Sequence, residues 1–279
     1  MGTLGIIAGG GELPLAIAES ARAKGRDVFV MGIESMAERG DFAGYASEWA
    51  GIGQLGKTLD ALKKAGCDRV TFAGRVSRPD FAALKLDLRG MGAVARVAAA
   101  ALRGDDAILR TMLDIFEKEG FAVVGTAEAA PDLIATAGVY GRHKPGEQAT
   151  RDIALARQVI ERLGELDIGQ AAAVADGLVL AVEAAEGTDA MLKRIPELGT
   201  NLRGTAKKRR GVLLKAPKPK QDRRVDLPVI GVRTVELAAE GGLAGIAVQA
   251  GAALLMRKEM IVETADRLGL FVMGFEAAP

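Results

Sequence analysis

Short apolar runs alternate with helix-length stretches from Leu4 to Val124, and this alternation limits the fold more than any other feature of the chain. Leu4–Ala8 leads through Gly9-Gly10-Gly11 into a helical stretch at Leu13–Lys24. Asp27–Ile33 is a second strand, Leu55–Ala65 a second helix, and Arg69–Ala73 a third strand that ends in Gly74-Arg75. Runs this short and this apolar, set between helices, are strands buried on both faces, which is the signature of βαβ units and a parallel sheet. Helices at Gly92–Leu102 and Asp106–Glu119 and a strand at Phe121–Val124 complete the half.

At 279 residues the chain exceeds the roughly 150 residues of one ordinary domain, so two are expected. Gly138–Gly146, with three Gly and a Pro, reads as a linker between a domain of residues 1–137 and one of residues 147–279. The second half opens with an amphipathic helix at Glu147–Leu163. Strands follow at Gly177–Val182, Gly211–Leu214, Val229–Gly231, Gly245–Val248 and Leu270–Phe275. Helices near Asp189–Ile195, Thr234–Gly241 and Leu254–Leu268 separate them. The expected class is α/β, with a Rossmann-like parallel sheet first and a mixed α/β domain second.

One Cys (Cys67) and one His (His143) remove whole classes of chemistry. Disulfide frameworks, iron–sulfur clusters and Cys-based zinc sites all need more thiols, and a His-rich metal centre needs more imidazoles. Any metal here must rest on carboxylates and substrate oxygens, which suits Mg²⁺. The opening residues lack the basic and apolar regions of a signal peptide, and Gly241–Met256 is too short to span a bilayer. The chain is therefore expected in the cytoplasm.

Net charge is +1 at pH 7, yet Arg203–Arg224 holds ten basic residues and one acid. A cationic segment on an acidic body suits a polyanionic ligand. It contains no aromatic residue for stacking bases, which argues against nucleic acid.

Three places carry residues suited to phosphate. Gly10 and Gly11 let the backbone approach a ligand before a helix start, although Pro14 stands where the dinucleotide fingerprint wants Gly or Ala. A nucleotide-dependent oxidoreductase using this loop is the rival reading, with Glu34 as a ribose-binding acid. Gly74, Arg75 and Arg78 lie at a strand end, where open parallel sheets bind ligands and an Arg fork fits phosphate. In the second half, Glu186-Gly187-Thr188-Asp189 and Lys215 to Pro228 mix carboxylates with Lys215, Lys218 and Lys220. Carboxylates to anchor Mg²⁺ or water and cations to hold phosphate are what phosphoryl transfer requires.

Taken in order, Gly5–Pro14, Ala73–Pro79, Gly104-Asp105-Asp106, Glu186–Asp189 and Lys218–Pro228 resemble the UDP-2,3-diacylglucosamine pyrophosphatase family of lipid A biosynthesis. The family meant is the one unrelated to the metallophosphoesterases, whose several His ligands this chain could not supply. The resemblance spans the chain; the departure is Val229, where the pattern has Thr. It implies Mg²⁺-dependent hydrolysis of UDP-2,3-diacylglucosamine to UMP and 2,3-diacylglucosamine 1-phosphate. Asp226 is the first choice for binding Mg²⁺ or positioning water, followed by Asp189 and Asp222. Asp189 is the second metal ligand, with Thr188 and Gln221 as orienting groups. Gly10, Gly11, Gly74, Arg75, Arg78, Lys215, Lys218 and Lys220 would hold the glycolipid nucleotide. The resemblance also leaves room for a peripheral contact with the inner face of the membrane and for a homodimer. Ala93–Leu102 and Gly241–Met256 could line an acyl groove, although ordinary core packing explains both.

Overall fold

The computed structural model describes residues 2–77, 84–102, 105–219, 224 and 227–276, with Asp105 and Asp106 described by their backbone alone. They form two compact units, Met1–Asp132 and Leu133–Pro279. The first contains β1 (Thr3–Ala8), α1 (Leu13–Ala23), β2 (Val28–Ile33), β3 (Ala46–Ala50), α2 (Leu55–Lys64) and β4 (Cys67–Ala73). Then come α3 (Leu88–Ala101), α4 (Asp105–Lys118), β5 (Ala122–Val123) and α5 (Thr126–Ala129). Its strands lie in the order β3-β2-β1-β4-β5 and every pairing is parallel. This is half of a doubly wound sheet, with the strand order reversing beside β1.

Sequence explains the local structure. Pro14 at the first turn of α1 sacrifices an amide that a helix start leaves unpaired anyway, and Ile17, Ala18 and Ala21 fall on the buried face. One large cluster joins Ile7, Phe29 and Met31 of the strands to Leu55, Leu59 and Leu62 of α2, Ala93 of α3, and Ile115 and Phe116 of α4. Helix α1 contributes nothing to that cluster and packs instead on β1, β2 and β4.

The second unit contains β6 (Gly138–Tyr140), α6 (Glu147–Glu165), β7 (Ala171–Ala175), β8 (Leu178–Val182), α7 (Gly187–Arg194) and β9 (Val212–Lys215). It continues with β10 (Val229–Ile230), α8 (Val232–Glu240), β11 (Gly245–Gln249), β12 (Leu254–Leu255), α9 (Lys258–Leu268) and β13 (Phe271–Phe275). The main sheet runs β6-β13-β11-β9-β7-β8, and β10 pairs with β12 separately. Strands β9, β11 and β13 are parallel, whereas β6 and β7 run against their neighbours. Strand β8 is antiparallel to β7 and so points the same way as β9. One core gathers α7, α8 and α9, through residues such as Leu192, Leu237 and Ile261. A second sets Ala156 and Ile160 of α6 against Ala172, Leu214 and Ala247.

Several expectations change. The division falls after Asp132, and Gly138–Tyr140, expected to open a linker, is strand β6 at the edge of the second sheet. Strands β3 and β7 were not expected. Leu254-Leu255 is a strand rather than a helix start, because Arg257 takes φ 57° and α9 begins only at Lys258. The stretch Gly241–Met256 is core, with Leu243, Ile246, Val248 and Ala253 fully buried, so it offers no acyl groove. Among the described residues no helix is long and apolar enough to cross a membrane.

Candidate active site at the strand ends

The carboxyl edge of the first sheet is made of backbone. Gly10 donates its N–H to the Arg75 carbonyl and Arg75 returns one to Gly10, both at 2.8 Å. The loops after β1 and β4 are thereby stitched together. Glycine is required on both sides of the seam: a Cβ on Gly9 would lie 2.5 Å from the Arg75 oxygen, and one on Gly74 2.8 Å from the Gly10 oxygen. Gly74 also holds φ at 88°, a left-handed conformation that side chains disfavour. The amides of Gly10 and Arg75 are thus spent on each other. Gly11, at φ 94°, faces open space, and the Arg75 side chain is exposed. Arg78 lies outside the described residues, as do Gly104 and the side chains of Asp105 and Asp106.

Beside this seam, Glu34 is exposed and 4.0 Å from Arg39. The Arg39 guanidinium stacks 4.6 Å over Trp49, whose ring sits against Gly32. The indole Nε1 of Trp49 is buried without a hydrogen-bond partner among the described residues. Trp49 is the chain's only Trp, and its place in an unrecognised strand hid it from sequence reasoning.

The carboxyl edge of the second sheet is made of side chains. Lys215 ends β9 and is only 5% exposed. Its Nζ donates to Thr188 Oγ1 at 2.7 Å and to the Val229 carbonyl at 3.0 Å. Thr188 passes its own proton to Glu183 Oε1 at 2.7 Å, and Glu183 Oε2 accepts the Gln170 N–H at 3.1 Å. Because Glu183 follows β8 and Gln170 precedes antiparallel β7, both arrive at the edge where β9 ends. Gly187, at φ 80°, turns the chain into α7 and brings Thr188 back over Glu183. The side-chain oxygen of Gln170 is buried and has no hydrogen-bond partner among the described residues.

Thr188 and Lys215, both expected from the sequence, therefore meet. Glu183 and Gln170 were missed. The available signal for Glu183 was an acid one residue past a strand and five before a Thr. Lys215 donates to the main-chain carbonyl of Val229, so the Val at this position leaves that contact intact. Asp189 is exposed in the first turn of α7. Asp226, Asp222, Gln221 and Lys220 lie outside the described residues, on the segment joining β9 to β10. Lys218 pairs with Asp167, so part of its charge is already neutralised.

The cationic segment is less available than its count suggests. Arg203 donates to the Leu198 and Gly204 carbonyls, and Arg209 to those of Ala239 and Leu243. Burial pulls the Arg209 guanidinium below its usual pKa. Arg210 binds Asp176 and the carbonyls of Thr200 and Arg203. These arginines close chain turns and are not a groove for a polyanion. His143 meets the carbonyl of Asp266 at 3.2 Å. Among the described residues no cluster of three or more His, Cys, Asp or Glu side chains forms a metal site.

Comparison with known proteins gives a consistent answer along the whole chain. Residues 3–133 match the family model described as the LpxI N-terminal domain, and residues 136–273 match the LpxI C-terminal domain. The chain is 49% identical over 276 residues to the UDP-2,3-diacylglucosamine pyrophosphatase LpxI of Caulobacter vibrioides, covering 99% of this chain and 98% of that protein. Among solved structures, CobK precorrin-6A reductase is matched at 15% identity with a TM-score of 0.28, covering 100% of this chain and 89% of that one, a likeness too slight to carry an argument.

Proposed function

The chain belongs to the LpxI family, and from that premise we propose that it hydrolyses the pyrophosphate bond of UDP-2,3-diacylglucosamine in lipid A biosynthesis. Water adds to one phosphorus, the bridging P–O bond breaks, and UMP and 2,3-diacylglucosamine 1-phosphate (lipid X) leave. Near-full-length identity to a pyrophosphatase with this substrate carries the reading. The family match and this relative favour the pyrophosphatase over the oxidoreductase reading.

In this reaction the second unit supplies the charge. Lys215, held on Thr188 and the Val229 carbonyl, neutralises the pyrophosphate as negative charge grows on the leaving phosphate. Lys218 and Lys220 assist, and Asp226 positions the attacking water, with Asp222, Asp189 and Gln221 around it. In the first unit, the exposed Arg75 and the open backbone at Gly11 are suited to phosphate or nucleotide. Arg78 and Gly74 belong to the same loop.

Mg²⁺ is part of the proposal, with Asp226 and Asp189 as its carboxylates. Of these only the exposed Asp189 is described, and one carboxylate does not make a site, so no step is built on the ion. Its chemistry would be neutralisation of phosphate oxygens. The enzyme is expected to lose turnover in EDTA and regain it with Mg²⁺; full turnover after exhaustive chelation removes the metal from the proposal.

A cytoplasmic enzyme taking a two-chain lipid from the membrane would touch its surface. Helix α3 and its C-cap carry Leu88, Met91 and Leu102 at 88%, 60% and 90% exposure, with Arg96 on the exposed side and no acid along the helix. Apolar residues beside a basic one suit an anionic bilayer surface.

The deciding measurement is hydrolysis of UDP-2,3-diacylglucosamine in ¹⁸O-labelled water, with phosphorus products read by mass spectrometry. Label in UMP or in lipid X supports the function and identifies the phosphorus attacked. Absence of turnover ends it.

A further inference from the structure

Nothing in the family resemblance draws attention to Glu183, yet it is a charged residue only 7% exposed, at the edge where the candidate site lies. Burying a carboxylate is costly unless every lone pair has work. Here Oε2 takes the Gln170 N–H at 3.1 Å and Oε1 takes the Thr188 proton at 2.7 Å. Its main-chain N–H is tied to the Ala171 carbonyl at 2.9 Å, so the carboxylate is fixed relative to the sheet.

The consequence falls on Thr188. A hydroxyl has one proton and can rotate to give it to any nearby acceptor. Glu183 is acceptor-only when ionised, so it draws the proton to itself and leaves a lone pair of Oγ1 aimed at the Lys215 Nζ, 2.7 Å away. Lys215 then joins the end of β9 to the start of β10 through the Val229 carbonyl. Between those two points the chain carries Gln221, Asp222 and Asp226.

We infer that Glu183 is a positioning residue for hydrolysis: through the Thr188 hydroxyl it fixes the Lys215 ammonium at the strand ends, where the pyrophosphate is bound. The inference rests on the function proposed above. It assigns Glu183 no contact with substrate and no proton transfer to it.

Two readouts test it on the full-length protein. In steady-state hydrolysis, Glu183→Gln and Thr188→Val should each lower kcat by roughly 10- to 100-fold with KM changed less than threefold, the loss expected when a charged group is held slightly out of place. Thr188→Ser, which keeps the hydroxyl, should recover most of what Thr188→Val loses. The double variant should lose no more than the worse single one, because both act through the same Lys. Independently of turnover, brief acetic anhydride treatment and peptide mass spectrometry should find Lys215 protected in the parent. Labelling should rise at least threefold in either single variant, with unchanged circular dichroism. An inert parent enzyme would defeat the proposed function and leave the labelling result to decide this inference. A kcat within twofold of the parent in Glu183→Gln, losses that multiply in the double variant, or Lys215 labelling unchanged in Thr188→Val would overturn it.

Discussion

The two sheets present carboxyl edges built on opposite principles. In the first unit, glycines at 9, 10 and 74 bring two loops into main-chain contact, and the resulting seam pairs the Gly10 and Arg75 amides with main-chain carbonyls. In the second, Lys215, Thr188 and Glu183 form a buried chain of side chains in which each donor has an acceptor. The first edge gains rigidity from residues that have no side chain. The second holds a charge at a defined point, which backbone cannot do. Substitutions at the first should therefore register mainly in stability, and those at the second mainly in turnover.

The largest effect is expected at Asp226. Asp226→Asn should lower kcat by roughly 10²–10⁴-fold, the contribution of one positioned acid–base group, while the melting temperature stays within a degree or two. Turnover within threefold of the parent would remove Asp226 from the role and weaken the contrast. Next comes the seam. Gly9→Ala and Gly74→Ala force a methyl into backbone atoms under 3 Å away and should cost about 1–3 kcal/mol of stability, measured by urea unfolding. Activity per folded molecule should be nearly unchanged. If kcat collapses instead while stability holds, the first edge is chemical and the contrast fails. Arg75→Ala removes an exposed cation and should raise KM about tenfold, on the scale of a hydrogen bond to a charged group of about 1.5 kcal/mol. An unaltered KM would leave Gly11 as the first unit's only described contact.

The smallest effect concerns pH. Burial, reinforced by the negative charge of Asp68, pushes the Cys67 thiol up from 9.0 to about 11. The folded protein thus holds this proton more tightly than the unfolded chain. Stability from this source is complete below about pH 9 and is lost as pH rises through about 11. Melting temperatures of the parent should fall across that window more steeply than those of Cys67→Ala. Parallel curves would show that Cys67 contributes nothing to the alkaline limit.

Legibility in the sequence followed burial. Strands β1, β2 and β4 each hold an apolar stretch, with glycine directly after β1 and β4, and they are recognisable because parallel strands are covered on both faces. Strand β3, Ala-Ser-Glu-Trp-Ala, lacks such a run because it lies at the sheet edge. Strand β7, Ala171–Ala175, is almost all alanine, a weak strand former that becomes a strand only because β8 and β9 enclose it. The same limit applies to the site. Thr188 and Lys215 stood out by residue type and position after strands. Glu183 acquires meaning only when β8 and β9 are seen to point the same way, and that alignment passes through a strand the pattern did not show. The charge count of Arg203–Arg224 has the same limit: no count reveals that main-chain carbonyls occupy Arg203, Arg209 and Arg210.

Strand β13 is the last in chain order among the described residues, yet it lies between β6 and β11 rather than at the margin. A nascent chain leaving the ribosome can complete the all-parallel first sheet while the second still lacks one of its inner members. Until Phe271–Phe275 emerges, two strands must wait with open hydrogen-bonding groups facing each other across a gap. Removing Phe271–Phe275 would leave that gap permanent.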